Sequence, residues 1–215
     1  MSREHTRPFS VGETMKQLYG GVDFDRSLIT VNSFPYFVVE TILQMHNLLN
    51  GKSIFLFTLV LMRKFKIIPH LTLQNYVHRY YTHKELDSRI VKFLRSKLDH
   101  DLIRYLKTKY PYTEIVVCTG ANESFVRQIL RQEDFVECII GSSVIHNKLH
   151  VNLSENKLKA LTAKNYTPLQ FFVTDHFSDF CLAKITKNFY IIRPDNTTKQ
   201  ISKSLDFNIQ ELCFE

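Results

Sequence analysis

Three short apolar runs, each stopping at oxygen-bearing side chains, constrain this chain more than any other feature. Lys16 to Phe24 leads into Asp23-Phe24-Asp25, Glu114 to Cys118 ends at Thr119-Gly120, and Gln170 to Val173 runs into Thr174-Asp175-His176-Phe177-Ser178-Asp179. Runs this short, rich in β-branched and aromatic residues, read as buried strands. Helical periodicities separate them, so the expected fold is α/β with a mainly parallel sheet flanked by helices. Ligands of such sheets bind beyond the carboxyl ends of the strands. The loaded ends are therefore expected to converge. Side chains alternate along a strand, which places Asp23 and Asp25 on one face, one free to attack and the other to handle protons.

Taken in order, Ser2 to Thr14 reads as a loose polar tail. Gly20 and Gly21 weaken the first strand and mark close backbone packing. Asp25 to Thr30 reads as a loop. From Phe34 to about Lys109 the pattern turns helical, with apolar residues at three- and four-residue steps through Phe37, Val38, Thr41, Ile42, Met45, Leu48 and Leu49, stopping at Asn50-Gly51. A second apolar helix follows; after Pro69, Thr72 is the expected N-cap of a third. Leu86, Ile90, Phe93, Leu94 and Leu98 form another stripe, and Asp101 to Tyr110 a further helix. Beyond the strand ending at Cys118, Glu123 to Gln132 reads as a helix. Phe135 to Ile140 and Ser142 to Val151 read as strands, Ser154 as the N-cap of a helix carrying Lys157, Asp179 to Ala183 as a helix start, and Phe189 to Ile192 as a last strand. The expected division is a tail over 1–14, a core over 15–33 and 110–215, and a helical insertion over 34–109.

Charge is uneven. Between Arg63 and Lys109 many lysines and arginines face only Glu85, Asp87, Asp99 and Asp101, a region expected to attract anions: a phosphorylated small molecule, an acidic lipid surface or nucleic acid. Tyr76, His78, Arg79, Tyr80, Tyr81 and His83 are the nearest thing to a nucleic-acid patch, yet no basic-aromatic recognition motif is present, so no specific nucleic acid is expected. Cys118, Cys138, Cys181 and Cys213 lack paired metal spacing and read as reduced core thiols. The polar Met1 to Thr14 has no apolar signal core, and the longest apolar run, Ser53 to Met62, is too short to span a bilayer. The expected location is cytoplasmic, with peripheral membrane contact left open.

A cluster of Asp23, Asp25, Asp175 and Asp179 repels itself when empty, and a hard cation resolves this. Oxygen ligands without His or Cys favour Mg²⁺, which keeps waters and a substrate phosphate oxygen. Thr119, the Gly120 N–H and Lys157 suit a phosphoryl group as donors.

The ordered set Asp23-Phe24-Asp25-Arg26-Ser27-Leu28, Cys118-Thr119-Gly120, Lys157 and Thr174 to Asp179 resembles the four motifs of the haloacid dehalogenase superfamily, most closely its phosphoserine-phosphatase-like branch, over roughly Met15 to Lys203. The resemblance implies a Rossmann-like core with a helical cap inserted after the first strand. It implies Mg²⁺ held by the Asp23 carboxylate, the Asp25 carbonyl and Asp175, with Asp179 supporting. Asp23 is then the nucleophile, Asp25 the general acid and base, and Thr119 and Lys157 the phosphate holders, with the Ser27 hydroxyl retained in place of the family's Thr. The implied substrate is a small phosphorylated metabolite, selected by the basic cap. Arg26 departs from the small residue usual at its position. Asn32 stands where phosphoserine phosphatases carry a Glu that reads the substrate ammonium, and it cannot supply that charge. The alternative is a non-catalytic binding or regulatory protein on the same fold, engaging a phosphorylated ligand, an acidic lipid or nucleic acid through its basic cap; loss of Asp25 or Lys157 would favour it, and neither is lost.

Overall fold

The computed structural model describes residues 17–45, 51–82, 84–146, 148–205 and 208–214. The expected tail, Leu48, Leu49 and His83 lie outside them. The strands are β1 (Leu18–Val22), β2 (Thr113–Asn122), β3 (Val136–Ile145), β4 (Lys148–His150), β5 (Leu169–Thr174), β6 (Thr186–Ile192) and β7 (Ile209–Leu212). The helices are α1 (Phe34–Gln44), α2 (Gly51–Lys64), α3 (His70–Tyr80), α4 (Ser88–Arg95), α5 (His100–Lys109), α6 (Glu123–Ile129), α7 (Glu155–Ala163) and α8 (Asn196–Lys203), and a 3₁₀ segment covers Phe177–Ile185.

The sheet runs β4-β3-β2-β1-β5-β6-β7, parallel at every pairing except the β3–β4 hairpin. This is the α/β architecture expected from the alternation. Apolar side chains of both faces are buried, Phe171 and Tyr190 packing against Tyr110 and Tyr105 on one side, Phe172, Phe189 and Ile191 clustering with Leu161 of α7 and Leu182 on the other. The two glycines of β1 make this possible. A Cβ on Gly20 would lie 2.2 Å from the Phe171 ring, and one on Gly21 2.3 Å from the Phe172 ring, so the rings of β5 close over β1 from opposite faces.

Four helices, α1 to α4, leave the sheet together and return to it. At their base Ile29 bridges Leu98 antiparallel, the Thr30 N–H donates to Lys97 O (2.9 Å) and the Asp99 N–H to Leu28 O (2.9 Å). Short polar side chains cap the helices around this base: Asp87 accepts from Arg89 N, Asp99 from Leu102 N and Asn122 from Phe125 N. α5, next after the base, lays Tyr105 edge-on against Tyr190 of β6.

Several local expectations are corrected. β2 continues through Thr119 and Gly120 to Asn122, because its pairing with β3 resumes at Asn122 opposite Ser142. α3 starts at His70 with Pro69 at its N-cap, where the missing proline N–H costs nothing, rather than at Thr72. Gly141 does not divide β3. α8 and the edge strand β7 follow what reads as the last strand; α8 buries only Thr198, leaving almost no apolar periodicity to announce it. Of the four free thiols only Cys118 is fully buried, and Cys213 is exposed. His78 and Tyr81 are interior, so the supposed aromatic-basic patch is not one surface. Among the described residues no helix is long and apolar enough to cross a membrane.

Candidate active site

β1 is flanked by β2 and β5, and all three end at one rim of the sheet. A cavity of about 390 Å³ opens there, lined by Asp23, Asp25, Thr119, Gly120, Lys157, Asp175 and Asp179 from the rim. Side chains from the turn after β1, from α1, α3 and α6, and from the end of β2 are among those that complete it. Seven of the eight singled-out residues thus meet in one place. Ser27 is the eighth: it is fully buried, is not part of the lining, and its hydroxyl has no hydrogen-bond partner.

The first strand passes into a single wide turn. Asp23 N–H donates to Val173 O of β5 (2.8 Å), and the turn closes through Leu28 N–H to Asp23 O (3.0 Å) and Ile29 N–H to Phe24 O (2.9 Å). Within it Asp25 keeps an extended backbone while Arg26 adopts φ 56°, a left-handed conformation that a non-glycine residue occupies at a cost of about 1–2 kcal/mol. Arg26 lines the cavity. The turn is held from outside by Arg193, whose Nη1 donates to Arg26 O (2.9 Å) and Ser27 O (3.3 Å) while its other nitrogen pairs with Asp99 at the cap base. Asp25 is oriented by the start of α1, Ser33 N–H donating to its Oδ1 at 2.7 Å.

Lys157 is the electrostatic centre. Its Nζ sits 2.8 Å from Asp23 Oδ1 and 2.6 Å from Asp179 Oδ2, with all three groups shielded from solvent. Asp179 Oδ2 also accepts from the Thr174 hydroxyl (2.9 Å), whereas its buried Oδ1 has no partner. Desolvation pulls Lys157 down, but Asp179 and Asp23 outweigh it and hold the ammonium charged well above neutrality. Burial pushes Asp23 up to about 7 against the pull of Lys157, with Asp179 and Asp175 adding repulsion. Asp175 is pushed up to about 6, again chiefly by burial. Desolvation also raises Asp25, opposed by the Ser33 N–H. Burial pushes the Cys118 thiol up to about 12, which removes it as a nucleophile.

Lys157 therefore contacts two of the four carboxyl groups that line the cavity. Among the described residues no three acidic, His or Cys side chains stand close enough to form a ready-made metal cage. The donor set nonetheless fits a hard cation of the Mg²⁺ type: every donor is oxygen, the carboxyls repel one another, and Asp179 keeps one buried oxygen unsatisfied. Such an ion takes only one or two protein carboxylates and completes its shell with water and substrate oxygen.

No family model and no curated protein matches the chain. Solved structures do. A HAD-family hydrolase of Salmonella enterica serovar Typhi superposes with a TM-score of 0.55 at 10% identity, covering 92% of this chain and 69% of that one. A phosphoserine phosphohydrolase-like protein of Francisella tularensis gives 0.53 at 17% identity over 89% and 94%. A phosphoserine phosphatase captured as a phospho-aspartyl intermediate analogue gives 0.52 at 12% identity over 91% and 93%. The fold is that of the HAD-family hydrolases.

Within this HAD fold one wall of the cavity comes from α3, where His78 is a histidine that the sequence already offers as a substrate contact, while His70 and Gln74 are not singled out there. His70, Gln74 and His78 recur at steps of four on one face of α3 and all line the cavity. Gln74 Nε2 donates to Gly120 O (3.2 Å), and His78 Nδ1 lies 3.1 Å from Asn122 Nδ2, so α3 is latched to the end of β2. The polar i, i+4, i+8 spacing was a readable signal, on a stripe beside the apolar Leu73, Tyr76, Val77 and Tyr80. Asn152 is a second omission: its amide donates to Thr119 O (3.1 Å) and Ile140 O (2.9 Å), fixing the rim of β2. His176 lines the cavity, its Nδ1 accepting from Ser178 N–H. Asn32 lines it too, its Oδ1 accepting from Phe34 N–H. Among the described residues, the lysines and arginines of the 63–109 region do not line it: its cations there, histidines aside, are Arg26 and Lys157. Substrate selection by those cap charges is thereby corrected.

Proposed function

We propose that this chain is a Mg²⁺-dependent phosphomonoesterase that works through an aspartyl phosphate on Asp23. The observation that carries the reading is the Lys157 bridge from Asp23 to Asp179 inside a cavity that Asp25, Thr119 and Asp175 also line. The ammonium holds Asp23 by one oxygen and leaves the other to attack phosphorus. As the new O–P bond forms and the ester P–O bond breaks, the Asp25 carboxyl, whose hold on a proton is strengthened by desolvation, gives its proton to the departing oxygen. The resulting Asp25 carboxylate then takes a proton from a water that attacks phosphorus, freeing Asp23 and inorganic phosphate. Thr119, the Gly120 N–H and Lys157 hold the phosphoryl oxygens. Asp23, the Asp25 carbonyl, Asp175 and Asp179 are the residues that would hold Mg²⁺, which when bound supplies positive charge against the phosphoryl oxygens and the carboxylates.

Beyond the phosphate, the lining includes Asn32, Phe34, Phe37, Gln74, His78 and Phe125, polar and aromatic groups with no carboxylate, lysine or arginine among them. Burial and the nearby Arg63 lower His70, which is therefore neutral at pH 7. The substrate class that fits is a small phosphomonoester whose alcohol part is uncharged and carries hydroxyl or ring groups. Phosphate release from a panel of such esters, measured with Mg²⁺ or with EDTA, tests the reading. Turnover that requires Mg²⁺ and disappears in Asp23→Asn is expected; Mg²⁺-dependent turnover that survives in Asp23→Asn would overturn it.

A further inference from the structure

We infer that α2 and the turn after it dock this protein onto anionic lipid bilayers. The helix is apolar on two sides. Ser53, Leu56 and Leu59 face inward and are buried, while Ile54, Phe57 and Leu61, three and four residues apart, form an outward stripe. The stripe continues into the turn and the next helix, with Phe57 56% exposed, Phe65 72%, Ile67 65% and Leu71 53%. Backbone bonds fix the turn: Ile67 N–H donates to Met62 O (2.8 Å), Lys66 N–H to Arg63 O (2.9 Å), and Arg63 Nη1 to Ile68 O (3.3 Å). Large apolar side chains held in water by an ordered ridge mark an interaction surface.

Charge decides the occupant. From Thr41 through Lys84 the chain contains no Asp or Glu, while Lys52, Arg63, Lys64 and Lys66 flank the apolar stripe. An ordinary solvated face mixes both signs. A second copy would bring these cations against their own kind with no carboxylate to pair them. An anionic bilayer answers both features: its boundary layer accepts Phe, Leu and Ile without needing a matching shape, and its headgroups attract the lysines. The docked face adjoins the cavity, since His70 lines the cavity and Leu71 belongs to the stripe. The inference does not rest on the phosphatase reading.

Co-sedimentation of the full chain with vesicles tests it, using phosphatidylcholine alone and phosphatidylcholine containing phosphatidylglycerol, at low and high salt. Expected is pelleting with the anionic vesicles at low salt, about tenfold weaker with neutral vesicles, and weakened by salt. Lys64→Glu combined with Lys66→Glu should lower anionic-vesicle binding by about tenfold or more. Phe65→Ser with Ile67→Ser should lower it comparably at low salt, as should Phe57→Ser on the helix, with thermal melts in solution matching wild type because these side chains are exposed. Failure of the wild type to pellet with anionic vesicles at low salt overturns the inference. So does binding that none of the three variants alters. A wild-type dimer that Phe65→Ser with Ile67→Ser converts to monomer, without vesicle binding, would assign the ridge to a second copy instead.

Discussion

Lys157 shows how much a single buried cation does. It compensates Asp23 and Asp179 together, so removing it leaves two shielded carboxyls without their cation. Lys157→Met should lose about 3–5 kcal/mol of stability at pH 8. The loss should shrink at pH 5, where Asp23 takes up its proton. Urea unfolding at the two pH values checks this, and an equal loss at both would show that the lysine acts by packing alone. At this scale the sequence was informative where chemistry and position coincide: Asp23, Asp25, Asp175 and Asp179 stand at strand ends. It was misleading for Ser27, which sits in the same short segment but inside the turn, because a hydroxyl carries no sign of which way a left-handed neighbour will send it. Asn152 carried no signal at all, being an isolated polar residue before a helix.

At the scale of elements, the contact between α3 and the end of β2 joins the helices that follow β1 to the sheet. Gln74 and His78 each reach β2, and both are buried. Gln74→Ala should free α3 by about one hydrogen bond's net contribution, near 1 kcal/mol. Amide exchange of the α3 backbone should then quicken by about fivefold, with the core strands unchanged; unaltered α3 protection would contradict a latch. The strands β1, β2, β5 and β6 were legible from their apolar runs, and α1 and α5 from their periodicity. The extension of β2 past Cys118 was not, since Thr119-Gly120-Ala121 reads as a loop until its pairing partner is known. Nor were α8 and β7, whose short polar sequences depend on packing against elements already formed.

For the molecule as a whole, the carboxyl cluster ties stability to pH and, on the proposed reading, to Mg²⁺. Asp23, with its folded-state value near 7 against an ordinary value of 3.8, binds its proton more tightly folded than unfolded, and Asp175 does the same near 6. Between about pH 4 and 7 the folded state therefore holds more protons than the unfolded chain. The stability that these groups contribute falls as pH rises through that window. Mg²⁺ should restore it, raising Tm more at pH 8 than at pH 5, while EDTA reverses the gain. An identical Mg²⁺ effect at both pH values, or none at either, would separate the cation from these carboxyls. The central claim, that Asp23 carries the phosphoryl group, is tested most directly by chemical trapping. The protein is mixed with Mg²⁺ and a phosphomonoester that it hydrolyses, quenched with borohydride during turnover and mapped by peptide mass spectrometry. Homoserine at position 23, absent when substrate or Mg²⁺ is withheld, is the predicted result; turnover that leaves residue 23 as aspartate and reduces a different carboxyl would contradict it.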